Sequence, residues 1–183
     1  MTQLYIFVII FNESKNFIKF KSYMYRIFLL LGGNLGNKSV IFKESLNKLQ
    51  KKLGKIVKKS SIYETEPWGF IAKDNFWNQA LIIETSLSPK NVLKITKETE
   101  TELGRLRGEK RYTSRTIDID ILFFGNLIIS EQNLEIPHPR MINRRFVLVP
   151  LSEIAPDMIH PVFKKTIKEL LEECTDILDV KKI

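Results

Sequence analysis

The chain has 183 residues, 44% hydrophobic and 27% charged, which fits one globular domain with a real core and excludes wholesale disorder. Its one cysteine, Cys174, excludes an intrachain disulfide and a cysteine-based zinc site and suits a reducing compartment. Lys+Arg 29 against Asp+Glu 21 gives a net charge of +8, which points to an anionic partner: nucleic acid, a phosphorylated metabolite or an acidic membrane.

Leu4–Phe11 is an apolar run, but eight residues fall far short of the roughly 20 that span a bilayer. No Lys or Arg precedes it, and Asn12-Glu13-Ser14-Lys15 follows where an export signal would carry small residues for cleavage. Met24-Tyr25-Arg26 leads at once into the apolar Ile27–Leu31, so residues 1–23 are expected to be an N-terminal extension, consistent with an upstream start codon, and the domain to span 24–183. The extension holds Lys15, Lys19 and Lys21 against Glu13, +2 of the total, which leaves +6 on the domain.

Ile27–Leu31 reads as a buried strand running into the turn Gly33-Asn34-Leu35-Gly36-Asn37, which supplies positive φ and a helix cap. A helix is expected from about Ser39 to Leu53, stopped by Gly54, then strands at Ile56–Tyr63 and Phe76–Glu84. Ser88-Pro89 places a cap and an N1 proline ahead of a second helix that ends at Leu103-Gly104. A basic loop, Arg105 to Arg115, leads into a fourth strand at Ile117–Phe124, with Gly125-Asn126 turning into Leu127-Ile128-Ile129. A Pro-rich stretch, Ile136 to Arg145, precedes a short apolar segment at Phe146–Leu151, and Thr166–Leu178 reads as an amphipathic terminal helix. Strand–helix–strand–strand–helix–strand is the split βαβ pattern of an α+β domain, an antiparallel sheet with helices on one face. Strands two and three are joined without a helix, so they are not parallel neighbours.

Asp118 and Asp120 flank Ile119 in an otherwise apolar strand, so both carboxylates project from one face. Such neighbours need positive charge between them. A hard divalent cation such as Mg²⁺, with positions left for phosphate and water, satisfies this; so does an ion-pair network with nearby Lys or Arg. Arg105, Arg107, Lys110, Arg111 and Arg115 just upstream match a triphosphate clamp, although Lys110 is read as a solvated charge. A nucleic-acid backbone could use the same arginines but does not account for aspartates planted in a strand. Thr65-Glu66-Pro67-Trp68-Gly69-Phe70, Phe76-Trp77-Asn78 and Phe146 form an aromatic and amide group. It fits either recognition of a heterocycle by stacking and an amide edge, or ordinary core aromatics beside a turn. His138, in a Pro-flanked loop, is either a donor to phosphate or a surface residue; His160 is read as structural.

Gly32-Gly33-Asn34-Leu35-Gly36, Phe76-Trp77-Asn78, Arg115-Thr116-Ile117-Asp118-Ile119-Asp120 and Ile136-Pro137-His138-Pro139-Arg140-Met141, in this order, resemble the 6-hydroxymethyl-7,8-dihydropterin pyrophosphokinase family over about Met24 to Ile159. The resemblance implies a ferredoxin-like βαββαβ core and transfer of pyrophosphate from ATP to the pterin hydroxymethyl group, with AMP leaving. By motif it implies Asp118 and Asp120 as ligands of two Mg²⁺ ions and Arg105, Arg107 and Arg115 as phosphate-clamping arginines, the first two on a mobile loop and, with the aspartates, catalytic. Glu100, Ile121 and His138 would meet ATP; Thr65, Pro67, Trp68, Phe76, Asn78, Arg144 and Phe146 would hold the pterin. The chain is expected to act as a monomer in the cytoplasm, with neither nucleic acid nor membrane as partner. Gly33 stands where a Ser is usual, Tyr112-Thr113-Ser114 departs from an aromatic followed by Gly-Pro, and the extension has no counterpart. The rival class is a basic ferredoxin-like nucleic-acid-binding module without catalysis, which predicts aromatics on exposed central strands.

Overall fold

A computed structural model describes residues 24–106 and 113–183. The expected extension, residues 1–23, and the loop residues Arg107, Lys110, Arg111 and Tyr112 lie outside the described residues. The elements are β1 (Tyr25–Gly33), α1 (Lys38–Leu53), β2 (Lys55–Lys59), β3 (Tyr63–Thr65), β4 (Phe76–Thr85), α2 (Pro89–Glu102) and β5 (Asp118–Phe124). They continue as β6 (Ile129–Glu131), β7 (Leu134–Ile136), a single 3₁₀ turn at Met141–Asn143, α3 (Arg145–Ile154), α4 (Ile167–Glu172) and β8 (Lys181–Lys182). The main sheet runs β5-β1-β4-β3-β8, with β2 also on β4, and every pairing is antiparallel. This is the ferredoxin-like α+β arrangement expected from the sequence.

β1 is an unbroken apolar run because it is covered on both faces. Ile27, Leu29 and Leu31 join α1 (Phe42, Leu49, Leu53) and α2 (Val92) in one core. Phe28 and Leu30 join α3 (Val147, Leu148, Leu151, Ile154) and α4 (Ile167, Leu170) in the other. The expectation of helices on one face is thus corrected: α1 and α2 cover one side, α3 and α4 the opposite one. The sheet face on which an RNA-binding relative would stack bases is occupied by α3 and α4.

Four further boundaries differ from the sequence reading. The second strand is split into β2 and β3 at Ser60, whose Oγ accepts from the Ala80 N–H at 2.9 Å and whose N–H donates to the Ala80 carbonyl at 2.9 Å, so the serine carries the pairing with β4 across the break. After Gly125 the chain does not fold back on β5; β6 pairs with β7 as a separate ribbon. Phe146–Leu151 is part of α3 even though Pro150 lies inside it; Val147, Leu148, Leu151 and Ile154 make one buried stripe at helical spacing, which outweighs the lost hydrogen bond. The terminal helix is only Ile167–Glu172, opened by a reciprocal Thr166–Glu169 capping box, and the tail instead adds β8 to the edge of β3. No helix among the described residues is long and apolar enough to cross a membrane.

Candidate active site

One end of the sheet lines up three strands: Gly32 of β1 pairs with Asn78 of β4 on one side and with Asp118 of β5 on the other. One step inward, Leu30 sits between Ala80 and Asp120. Alternation along β5 sends Ile119 and Ile121 into the α1/α2 core and leaves Asp118 and Asp120 together on the opposite face, beyond the start of α3. Gly32 has no side chain to fill the floor between them; a Cβ there would lie 3.3 Å from Asn78 Oδ1.

Two clefts meet at these carboxylates. The first is walled by Thr65, Glu66, Trp68, Phe70, Phe76, Asn78, Arg115, Arg144 and Phe146 as well as Asp118 and Asp120. Asn78, 2% exposed, donates from Nδ2 to Thr65 Oγ1 at 3.0 Å. The Arg144 guanidinium lies 4.8 Å from the Trp68 ring centroid and 5.6 Å from that of Phe146, and Arg115 lies 5.2 Å from Phe76. Pro67 sits between two lining residues without itself entering the wall. The second cleft is polar: Thr96, Lys97, Glu100, Arg105, Gln132, Asn133 and His138 surround Asp118 and Asp120, with Ile121 in its wall.

Asp118 is held by arginines. Arg105 Nη1 contacts Asp118 Oδ1 and also donates to Glu100 Oε1 at 2.6 Å, while Arg115 Nε pairs with Asp118 Oδ2 at 3.0 Å. Burial pushes the Asp118 carboxyl up, but Arg115 and Arg105 outweigh it and hold it below the usual carboxylate range. The Arg105 guanidinium is in turn raised: burial opposes its charge, and Asp118 and Glu100 more than offset that. Asp120 behaves oppositely. Burial first, then the Asp118 charge, push it up to about 7, and the pull of Arg115 and Arg144 does not offset them. Glu100, 3% exposed at the end of α2, accepts from the Ile119 N–H at 2.9 Å and so ties that helix to β5. His138 is pushed down to about 4, mainly by burial and then by Arg144 and Arg140. Its Nδ1 accepts from the Arg140 N–H at 3.3 Å, so the neutral ring carries its proton on Nε2.

The sequence-predicted residues Arg105, Glu100, Asp118, Asp120, Ile121 and His138 therefore come together at the polar cleft, and Thr65, Trp68, Phe76, Asn78, Arg144 and Phe146 at the aromatic one. Arg115, expected among the nucleotide contacts, lines the aromatic cleft instead, at the junction beside Asp118. Phe76 and Asn78 are both buried and site-lining, while Trp77 points to the other face and packs on Phe42. His160 is structural as read, its ring packed between Phe123 and Phe163 and its Nδ1 accepting from the N–H groups of Val162 and Phe163. Sequence reasoning placed Glu66 and Phe70 in the aromatic group without giving either a role of its own, and missed Gln132, Asn133 and the part played by Asn34. Asn34 looks like any turn asparagine in a Gly-Asn stretch; only its long-range partners distinguish it.

Among known proteins, a pyrophosphokinase from Aquifex aeolicus, named for 2-amino-4-hydroxy-6-hydroxymethyldihydropteridine, is 38% identical over 152 residues, 83% of this chain and 94% of that protein. The protein of the same name from Porphyromonas gingivalis is 40% identical over 138 residues, 74% of this chain and 93% of its own length. The folic acid synthesis protein fol1 of Pneumocystis carinii is 36% identical over 166 residues, 90% of this chain, which spans only 22% of that longer protein. The crystal structure of wild-type Plasmodium falciparum HPPK-DHPS shares the fold, with a TM-score of 0.66 at 20% identity, over 82% of this chain and 44% of that one. The family profile described as 7,8-dihydro-6-hydroxymethylpterin-pyrophosphokinase matches residues 28–156, and the chain belongs to that family.

Proposed function

We propose that the chain transfers the terminal pyrophosphoryl group of ATP to the hydroxymethyl oxygen of 6-hydroxymethyl-7,8-dihydropterin, giving the pterin diphosphate and AMP on the route to folate. The observation that carries this reading is the pair of clefts, one aromatic and one polar, with Asp118 and Asp120 as their common wall. A flat heterocycle in the first and a polyphosphate in the second would have their reacting groups meet at those carboxylates. Asn78, beside the Thr65 hydroxyl, offers an amide edge to the pterin, and Trp68, Phe76 and Phe146 offer rings for its faces. Arg144, stacked on Trp68 and Phe146, closes the same pocket. Glu100 and Ile121 line the nucleotide side, and His138 presents Nε2–H, a neutral donor, to phosphate.

The donor set suits a hard cation. Two oxygen-bearing side chains project from one strand face, and Asp120 holds a raised pKa that a neighbouring cation would relieve. Asp118 and Asp120 are the residues that would hold two Mg²⁺ ions brought with ATP; bound there, these ions would neutralise charge on the phosphoryl oxygens. In the reaction the hydroxymethyl oxygen loses its proton to solvent and forms a bond to the β-phosphorus, the bond from that phosphorus to the α–β bridging oxygen breaks, and AMP keeps that oxygen. Arg105 and Arg115, now on Asp118, and Arg107 supply guanidinium forks to the oxygens that gain charge. Positioning and electrostatics thus carry the rate, and no side chain is assigned as general base.

We assign the activity to the domain 24–183, acting as a monomer; the single free thiol, Cys174, suits the cytoplasm. The direct test is incubation with ATP, Mg²⁺ and 6-hydroxymethyl-7,8-dihydropterin, with AMP and pterin diphosphate appearing in equal amounts. Absence of AMP, or AMP formed without the pterin, overturns the reading.

A further inference from the structure

Asn34 lies just past the end of β1, is 2% exposed, and uses its whole side-chain amide on two other segments of chain. Its Oδ1 accepts from the Arg115 N–H at 2.9 Å. Its Nδ2 donates to Ser114 Oγ at 3.0 Å and to the Asp74 carbonyl at 3.1 Å. The backbone completes the clasp, because the N–H groups of Asn34 and Leu35 both donate to the Arg115 carbonyl, at 2.9 and 3.1 Å. The approach is close enough that a Cβ on neighbouring Gly33 would collide with the Thr116 carbonyl oxygen. The two tethered segments matter to the site. Asp74 ends the loop that brings Glu66, Trp68 and Phe70 to the aromatic cleft, and Arg115 places its guanidinium between Phe76 and Asp118.

We propose that Asn34 is a positioning residue for the pyrophosphoryl transfer, a single buried amide that pins Arg115 at the junction of the two clefts and holds the Trp68 loop against it. The inference rests on the proposed reaction for its kinetic consequence but not for its structural one. Each of the three bonds is partly buried and joins segments 40, 80 or 81 residues apart, so none is replaced by a local turn when the amide is lost. The arginine then keeps its charge and loses its fixed place. A guanidinium that must meet developing charge at a set position contributes less when its backbone anchor is loose.

Two variants separate this role from simple support of the fold. Asn34→Ala removes all three side-chain bonds. At saturating substrates its kcat, counted per folded molecule by circular dichroism and binding stoichiometry, is expected to fall at least about tenfold, the scale of one or two lost buried hydrogen bonds. Asn34→Asp keeps the acceptor for the Arg115 N–H, and the Ser114 hydroxyl can turn to donate to it, so the Asp74 tie alone is lost, its place taken by an oxygen that repels the Asp74 carbonyl. Its kcat is expected within about twofold of the parent while the KM for the pterin rises about fivefold, a split that uniform destabilisation does not produce. Hydrogen exchange on the substrate-free proteins reads the clasp without any assay of activity: amides of residues 70–75 and 113–116 exchange faster in Asn34→Ala, and only those of 70–75 in Asn34→Asp. Unchanged exchange in both variants overturns the clasp, and so does a parental kcat per folded molecule in Asn34→Ala. If Asn34→Ala does not fold, Asn34→Asp with a parental pterin KM and parental exchange overturns it alone. A parent protein that makes no AMP, with the exchange pattern as expected, sinks the reaction and leaves the clasp standing.

Discussion

On one side of Asp118 and Asp120 the walls are Trp68, Phe70, Phe76 and Phe146 around a buried Asn78; on the other they are Lys97, Glu100, Arg105, Gln132 and His138. In the proposed reading the aromatic cleft would gain affinity by removing a flat ring from water and reading its edge, with little net charge to balance. The polar cleft works by charge, and its interactions weaken as salt rises. The two carboxylates between them differ as sharply as the clefts do. Asp118 is stabilised as an anion by two arginines, and Asp120, one pleat away, is destabilised as an anion by burial and by Asp118 itself. A strand can thus carry adjacent acids: one is held by the protein's own cations, and in the proposed reaction the other would take a cation that arrives with the substrate.

Removing the second acid should cost the most activity. Asp120→Ala should lower kcat for AMP formation by at least about 10²-fold, while the unfolding temperature of the substrate-free protein stays level or rises because a repulsive neighbour is gone. A fall in both would make Asp120 a structural residue. Next in size is Arg105→Ala. It should lower kcat by about 10- to 10²-fold with nucleotide affinity changed less than about threefold, because the guanidinium that leaves Asp118 acts mainly on charge formed in the transition state. A raised KM for ATP with parental kcat would assign it to ground-state binding instead. Phe146→Ala tests the aromatic side alone: the KM for the pterin should rise about 3- to 10-fold, the scale of one lost ring contact, with the KM for ATP unchanged.

The smallest expected effect is the pH dependence. Asp120 is held up to about 7 and must be ionised to take a cation, so kcat/KM for ATP, which reports the free enzyme, should fall about fourfold from pH 8 to pH 6.5. Stability moves the other way. A carboxyl whose folded pKa lies above its unfolded value near 3.8 binds its proton more tightly when folded, so its contribution declines as pH rises from about 4 to about 7. Urea titrations of the substrate-free protein should show this slope, and Asp120→Asn should abolish it. His138, pushed down to about 4, stays neutral across this range, so His138→Gln should weaken ATP binding without altering the pH profile.

Short-range chemistry was legible in the amino-acid order. The apolar run of β1, the Ser88 cap and Pro89 start of α2, and the alternation that sets Asp118 and Asp120 on one face each depend on residues within a turn or a strand of one another. Those patterns were enough to specify an α+β domain and, with the arginines upstream, to expect acids and guanidinium groups gathered at one place, as Arg105 and Arg115 are on Asp118. Only the folded chain decided which face each helix covers, because α3 and α4 reach the sheet through contacts far from them in sequence. It also decided that Arg105 and Arg115 rest on Asp118 and not on Asp120, and that Asn34 joins Ser114, Arg115 and Asp74. Periodicity constrains direction, whereas partners 40 or 80 residues away are chosen by the packing of the whole sheet.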